Sequence, residues 1–148
     1  MRIRLKLSFI IILIFLLFGV GCGHEKNVNI IERLEKGWSL KLPNEMHELY
    51  NCYQPTFTGR AFQYAVMNCS ENSLEELMLM YEFKKKDSSS DESLESFFKM
   101  MNNDEKDKIN DEYILDLSKD YEYYVVDNSV WFIVDTKLKE VYICIFGS

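Results

Sequence analysis

Tyr121-Glu122-Tyr123-Tyr124-Val125-Val126, Val130-Trp131-Phe132-Ile133-Val134 and Val141-Tyr142-Ile143-Cys144-Ile145-Phe146 decide the fold. These runs are β-branched and aromatic, the residue types that suit a pleated sheet. Asp127-Asn128-Ser129 separates the first two, and asparagine and aspartate tolerate the tight turn that joins neighbouring strands. The expectation is an antiparallel three-stranded meander. Its strands show little polar alternation, which predicts a sheet covered on both faces, with helices packed on one side.

Upstream of the meander, Leu94, Phe97, Phe98 and Met101 recur at helical spacing within Glu92–Met101, with Asp91 as the expected N-cap. The polar stretch from Lys84 to Asp91 reads as a solvated loop, and so does Asn102 to Asp111. Ser73-Leu74-Glu75-Glu76 has the form of a capping box and predicts a helix from 74 to about 84, with a strand over 76–83 as the competitor.

Further back the signals weaken. Val28 to Lys36 fits a short helix ended by Gly37 as its cap. Trp38, Leu40 and Leu42 alternate with polar residues and predict a half-buried strand stopped by Pro43. Asn44 to Tyr53 is open between helix and strand. Phe57 to Met67 is β-prone, and a hairpin with Thr58-Gly59-Arg60 at its tip is expected. The class is therefore α+β, a mainly antiparallel sheet with two or three helices.

The N-terminus carries a different signal. Arg2, Arg4 and Lys6 precede an apolar run, Leu7 to Phe18, and then Gly19-Val20-Gly21-Cys22. A spanning helix needs roughly 20 apolar residues, so this run is short for a permanent anchor. A basic head, an apolar stretch and small residues before the cut are the parts of a secretory signal. The segment resembles a bacterial lipoprotein signal peptide. That resemblance implies cleavage after residue 21, lipidation of Cys22 with a diacylglyceryl group, and attachment to the outer face of the cell membrane. Two acyl chains hold a protein stably, at about 0.8 kcal/mol per buried methylene. The expected organisation is a signal peptide over 1–21, a lipidated tether over 22–27 and one domain over 28–148. An uncleaved N-terminal anchor is the alternative, and it leaves the domain on the same side.

Composition narrows the partner. The chain has a net charge of −7, and the first 21 residues hold three bases and no acid, so the remainder carries −10. Such an acidic domain is a poor nucleic-acid binder, and a protein or peptide partner would be favoured if basic. Nine tyrosines and two tryptophans supply ample core. Tyr121, Tyr123, Tyr124, Trp131 and Tyr142 are candidates for an exposed aromatic patch that contacts a partner, against ordinary sheet packing.

Catalytic vocabulary is thin. His47-Glu48 starts like a zinc-protease motif, but Asn51 stands where the second histidine belongs. Ser96-Phe97-Phe98-Lys99 spells Ser-x-x-Lys without the partner motifs of penicillin-interactive enzymes. Asp104, Asp107, Asn110 and Asp111 lack the glycine and spacing of a calcium loop. No catalytic residue, metal or cofactor is expected. Of the three cysteines after Cys22, Cys52 and Cys69 are the candidate disulfide, a bridge that would contribute about 3 kcal/mol, and Cys144 reads as a small buried hydrophobe. The expected role is a non-catalytic binding protein at the cell surface, an immunity-type protein being one version. A small surface hydrolase and a structural subunit of an envelope complex are the alternatives.

Overall fold

The computed structural model describes residues 28–56, 60–103 and 108–147. The signal segment, Cys22 and its tether lie outside them, as do Thr58 and Gly59 of the expected hairpin tip. The fold is α+β: α1 (Ile30–Trp38), β1 (Met46–Pro55), β2 (Ala61–Cys69), α2 (Glu71–Met80), β3 (Lys84–Lys85), α3 (Ser88–Met101), a 3-10 turn (Asp111–Tyr113), β4 (Glu122–Val126), β5 (Val130–Asp135) and β6 (Glu140–Ile145). The strands form one antiparallel sheet in the order β1-β2-β6-β5-β4-β3. The expected meander is β4-β5-β6, and its last strand inserts beside β2 at the middle of the sheet.

Strand periodicity sorts the core into two layers. Ala65, Met67, Val130, Phe132, Val134, Val141, Ile143 and Ile145 face α1 and α2, which contribute Ile30, Leu34, Leu74 and Leu77. Tyr64, Val66, Trp131, Ile133, Tyr142 and Cys144 face α3 and the 109–115 segment, which contribute Leu94, Phe97, Phe98, Met101, Ile109 and Leu115. The sheet is covered on both faces as expected, but the helices divide between them rather than sharing one side. This explains the continuous apolar runs: a strand covered on both faces has no polar face to show.

Helix limits differ from the sequence reading at their caps. The N-cap of α1 is Asn29, whose Oδ1 accepts from the amides of Ile31 and Glu32 at 2.9 and 3.2 Å. The left-handed residue at its end is Ser39 (φ 55°), not Gly37, which lies inside the helix. Residues 39–43 form no strand. Leu40 is buried and Leu42 half-buried, so the alternation is real, but the Tyr81 hydroxyl serves the backbone there, accepting from Lys41 N and donating to Lys41 O, each at 2.9 Å.

For α2 the cap is Ser70, whose Oγ accepts from Ser73 N at 3.2 Å; Ser73 itself is buried one turn in. β2 ends at Cys69, so Ser70 is the first residue free to cap. For α3 the cap is Asp87: Ser90 N donates to its Oδ1 at 2.7 Å and Asp87 N donates to Ser90 Oγ at 3.0 Å. The stretch expected as a loop thus holds β3 and the first turn of α3.

Asn44–Tyr53 resolves into β1, an edge strand bulged at Leu49. Thr56 N donates to Arg60 O at 2.7 Å, and counting back from that bonded pair turns the backbone of Pro55 outward, where its missing N–H costs nothing. Bulge and proline together blunt this edge against further strand pairing. Asp127 and Asn128 (φ 49° and 55°) form the primed turn that joins β4 to β5, closed by Ser129 N donating to Val126 O at 2.9 Å.

The expected Cys52–Cys69 bridge is not formed. Register places Cys52 opposite Tyr64 and Cys69 opposite Met46, five residues further along β2. That is about 17 Å of strand at about 3.4 Å per residue, and a disulfide needs Cα atoms within about 7 Å. The two thiols also lie on opposite faces, Cys69 with the α1–α2 layer and Cys52 beside the α3 layer.

Candidate functional site

The expected aromatic patch is not on the surface. Tyr121, Tyr123, Trp131 and Tyr142 are each between 5% and 9% exposed and belong to the α3 layer. Tyr124 is half-buried on the opposite face, where its ring stacks on Tyr81 at 4.9 Å. Tyr123 stacks on Trp131 at 5.4 Å, and the Tyr142 hydroxyl donates to Glu140 Oε2 at 2.6 Å. Large rings fill the gap between sheet and helix, which uses them as core.

Tyr121 lines an opening. At the β3–β4 edge, an open cleft of about 650 Å³ lies between the start of α3 and β4. Its charged lining is Lys85, Lys86, Asp87, Asp91, Asp120 and Glu122. Its charged residues come from two separate stretches, Lys85–Asp91, turned by the α3 capping box, and Asp120–Glu122, brought in by β4, while Val134 and Thr136 at the end of β5 complete the lining.

Lys86 is a strut rather than a free cation. Its Nζ donates to the carbonyl oxygens of Leu117 and, at 3.2 Å, of Lys119; it pairs with Asp91 Oδ2 at 3.4 Å and lies 5.4 Å from the centre of the Tyr121 ring. The Tyr121 hydroxyl donates to Asp91 Oδ1 at 2.7 Å and sits 3.0 Å from Ser90 Oγ. The Tyr123 hydroxyl donates to Asp87 Oδ2 at 2.8 Å.

These contacts reinforce the protonation states that the groups ordinarily have at neutral pH. Hydrogen bonds from the Ser90 amide and from Tyr123 hold the Asp87 carboxyl below the usual range. Burial, with the neighbouring Asp91 carboxylate, pushes the Tyr121 phenol well above its ordinary value. Asp87 is therefore an anion and Tyr121 neutral at neutral pH. Such a rim accepts hydrogen bonds from ammonium and guanidinium groups. A carboxylate stabilised as an anion is a weak proton acceptor, so Asp87 is poorly placed for general-base work.

Other sequence candidates stay apart from the cleft. His47 is exposed on edge strand β1, and Ser96 and Lys99 are exposed on α3. Asp104 and Asp107 lie outside the described residues, and among those described no cluster of His, Cys, Asp or Glu could hold a metal ion. Among the described residues no helix is long and apolar enough to cross a membrane.

Sequence reading missed the cleft because its two halves are about thirty residues apart, and each reads as solvated charge. The available signal was Asp87 three residues before Ser90, a capping pair within the supposed loop. Comparison of the chain with protein-family models, curated proteins and solved structures gives no match.

Proposed function

We propose that the chain is a lipid-anchored protein on the outer face of the cell membrane, and that its domain is a non-catalytic module binding a basic segment of an exported protein or peptide. The location rests on the basic head, short apolar run and Cys22. The partner chemistry rests on the cleft at the β3–β4 edge. Four carboxylates line it against two lysines. Lys86 is engaged by Asp91 and two backbone carbonyls, and Asp87 by the α3 cap and Tyr123. Asp120 and Glu122 against Lys85 therefore set the balance offered to a partner. A second, more open hollow of about 610 Å³ beside α3 is lined by Glu95, Asp111 and Asp116, but Asp111 pairs with Lys108 at 3.3 Å and Asp116 with Lys119 at 3.7 Å. A cationic chain would therefore be drawn chiefly to the β3–β4 cleft, and such attraction speeds encounter and weakens with salt.

Titration of the domain with a lysine- and arginine-rich peptide, and with its glutamate-substituted counterpart, tests this. The basic peptide should bind, the acidic one should not, and added salt should weaken binding. Asp120→Asn with Glu122→Gln removes two lining charges that no cap depends on, and should weaken binding while leaving the unfolding midpoint near wild type. Equal binding of both peptides, or no effect of the double variant, would overturn the cleft as the contact.

A further inference from the structure

The described chain begins at a fixed point. The Val28 carbonyl accepts from Gln63 Nε2 at 2.8 Å and from Asn51 Nδ2 at 3.2 Å, so Val28 is held at the β1–β2 side of the domain. Gln63 is fully buried, and it also accepts from Arg33 Nη1 at 3.0 Å and donates to Asn51 Oδ1 at 2.9 Å. This clasp joins α1, β1 and β2. Only six residue steps separate Val28 from Cys22, a reach of about 20 Å at most.

The cleft lies at the other end of the sheet. β1 and β3 are opposite edges, and five interstrand spacings of about 4.8 Å place them about 24 Å apart. Charge is uneven along the sequence. Residues 22–60 contain as many acids as bases, so the whole net charge of −10 belongs to residues 61–148. Ile31 on α1 and Leu49 at the β1 bulge are 36% and 45% exposed; away from the tethered edge, Leu138 is 50% exposed and Met80 and Met100 are each 42% exposed. Leu79, at 89% exposed, follows Glu71, Glu75 and Glu76 on α2, a helix with no base.

We infer that the domain is mounted by its α1–β1 side, with Ile31 and Leu49 against the lipid headgroups and the acidic β3–β4 cleft turned outward. The occupant of this surface is the bilayer itself. A short tether holds the α1–β1 side close, apolar side chains gain by entering the interface, and an anionic headgroup layer repels the acidic remainder. This inference rests on the lipid-anchor reading above.

The test uses the full lipidated chain, isotope-labelled, in nanodiscs of phosphatidylglycerol and phosphatidylethanolamine that carry a gadolinium-chelating headgroup lipid. Ile31 and Leu49 amides should lose severalfold more intensity than those of Leu79, Ser88 and Glu122. Equal loss at all five, or greater loss at Leu79, Ser88 or Glu122, would overturn the mounting. The mass of the N-terminal peptide separates the two failures. Acyl chains present with the wrong pattern of loss sink the orientation alone. A Cys22 without acyl chains sinks the anchor and the orientation together.

Discussion

The Tyr123 hydroxyl donates to Asp87 Oδ2 at 2.8 Å and so fastens the N-cap of α3 to β4. The other carboxylate oxygen caps the helix through Ser90 N at 2.7 Å. Asp87 therefore has a lower folded than unfolded pKa, held down first by the Ser90 amide and next by Tyr123. A depressed carboxyl contributes stability that is present above its unfolded value, about 3.9, and is lost as pH falls through the folded value. Asp87→Asn keeps a capping side chain but not the charge. At pH 7 it should unfold at lower urea than wild type, and the gap should close in strong acid. A gap constant from pH 7 down to the acid limit would refute the assignment.

Tyr64 ties the sheet to the segment that roofs its α3 face. Its hydroxyl donates to Tyr113 O at 2.7 Å and accepts from Leu115 N at 3.2 Å. The ring is fully buried, and burial drives its phenol far above the ordinary value. Tyr64→Phe keeps the packing and orphans a buried amide and a carbonyl, a loss of about 1–3 kcal/mol. Urea unfolding should show that loss. Hydrogen exchange should show the Leu115 amide losing protection well before the β5 and β6 amides.

The meander and the buried face of α3 were legible because each is a period carried by large side chains. Val130–Val134 and Leu94-Phe97-Phe98-Met101 admit few other arrangements. The caps were less legible because the code is degenerate. Ser70 and Ser73, or Asp87 and Asp91, are equally good capping types, and the end of the preceding strand chooses between them. Trp38-Leu40-Leu42 alternates like a strand although a tyrosine hydroxyl, from forty residues away, serves its backbone. The cleft was invisible for a related reason: Asp87 and Glu122 look like ordinary surface charge until β3 pairs with β4.

Gly37 gives the sharpest contrast between the two readings. If it ended α1 in a left-handed conformation, an added Cβ would be strained. It lies inside the helix, and a Cβ there would meet no heavy atom within 4 Å. Gly37→Ala should therefore stabilise the domain by about 1 kcal/mol, the difference in helix propensity. Ser39, which holds the left-handed position at φ 55°, should gain from glycine instead. Thermal unfolding of the two single variants settles it: both midpoints should rise, and a fall for Gly37→Ala would restore the glycine cap.

The thiols offer the last test, because burial and register predict three different reactivities without a disulfide. Cys144 is fully buried in the α3 layer, and loss of hydration pushes its thiol well above the ordinary value. Cys69 is 4% exposed, its Sγ lies 3.2 Å from the Lys139 carbonyl oxygen, and its thiol is also raised by burial. Cys52, half-buried on edge strand β1, is the most accessible of the three. Attack requires a thiolate and access, so a maleimide at pH 8 should modify Cys52 first, and Cys144 only as fast as the domain unfolds. The mass of the native domain should not change on reduction. A gain of two hydrogens under reductant would mean that a bridge exists, which the register of β1 on β2 forbids between Cys52 and Cys69.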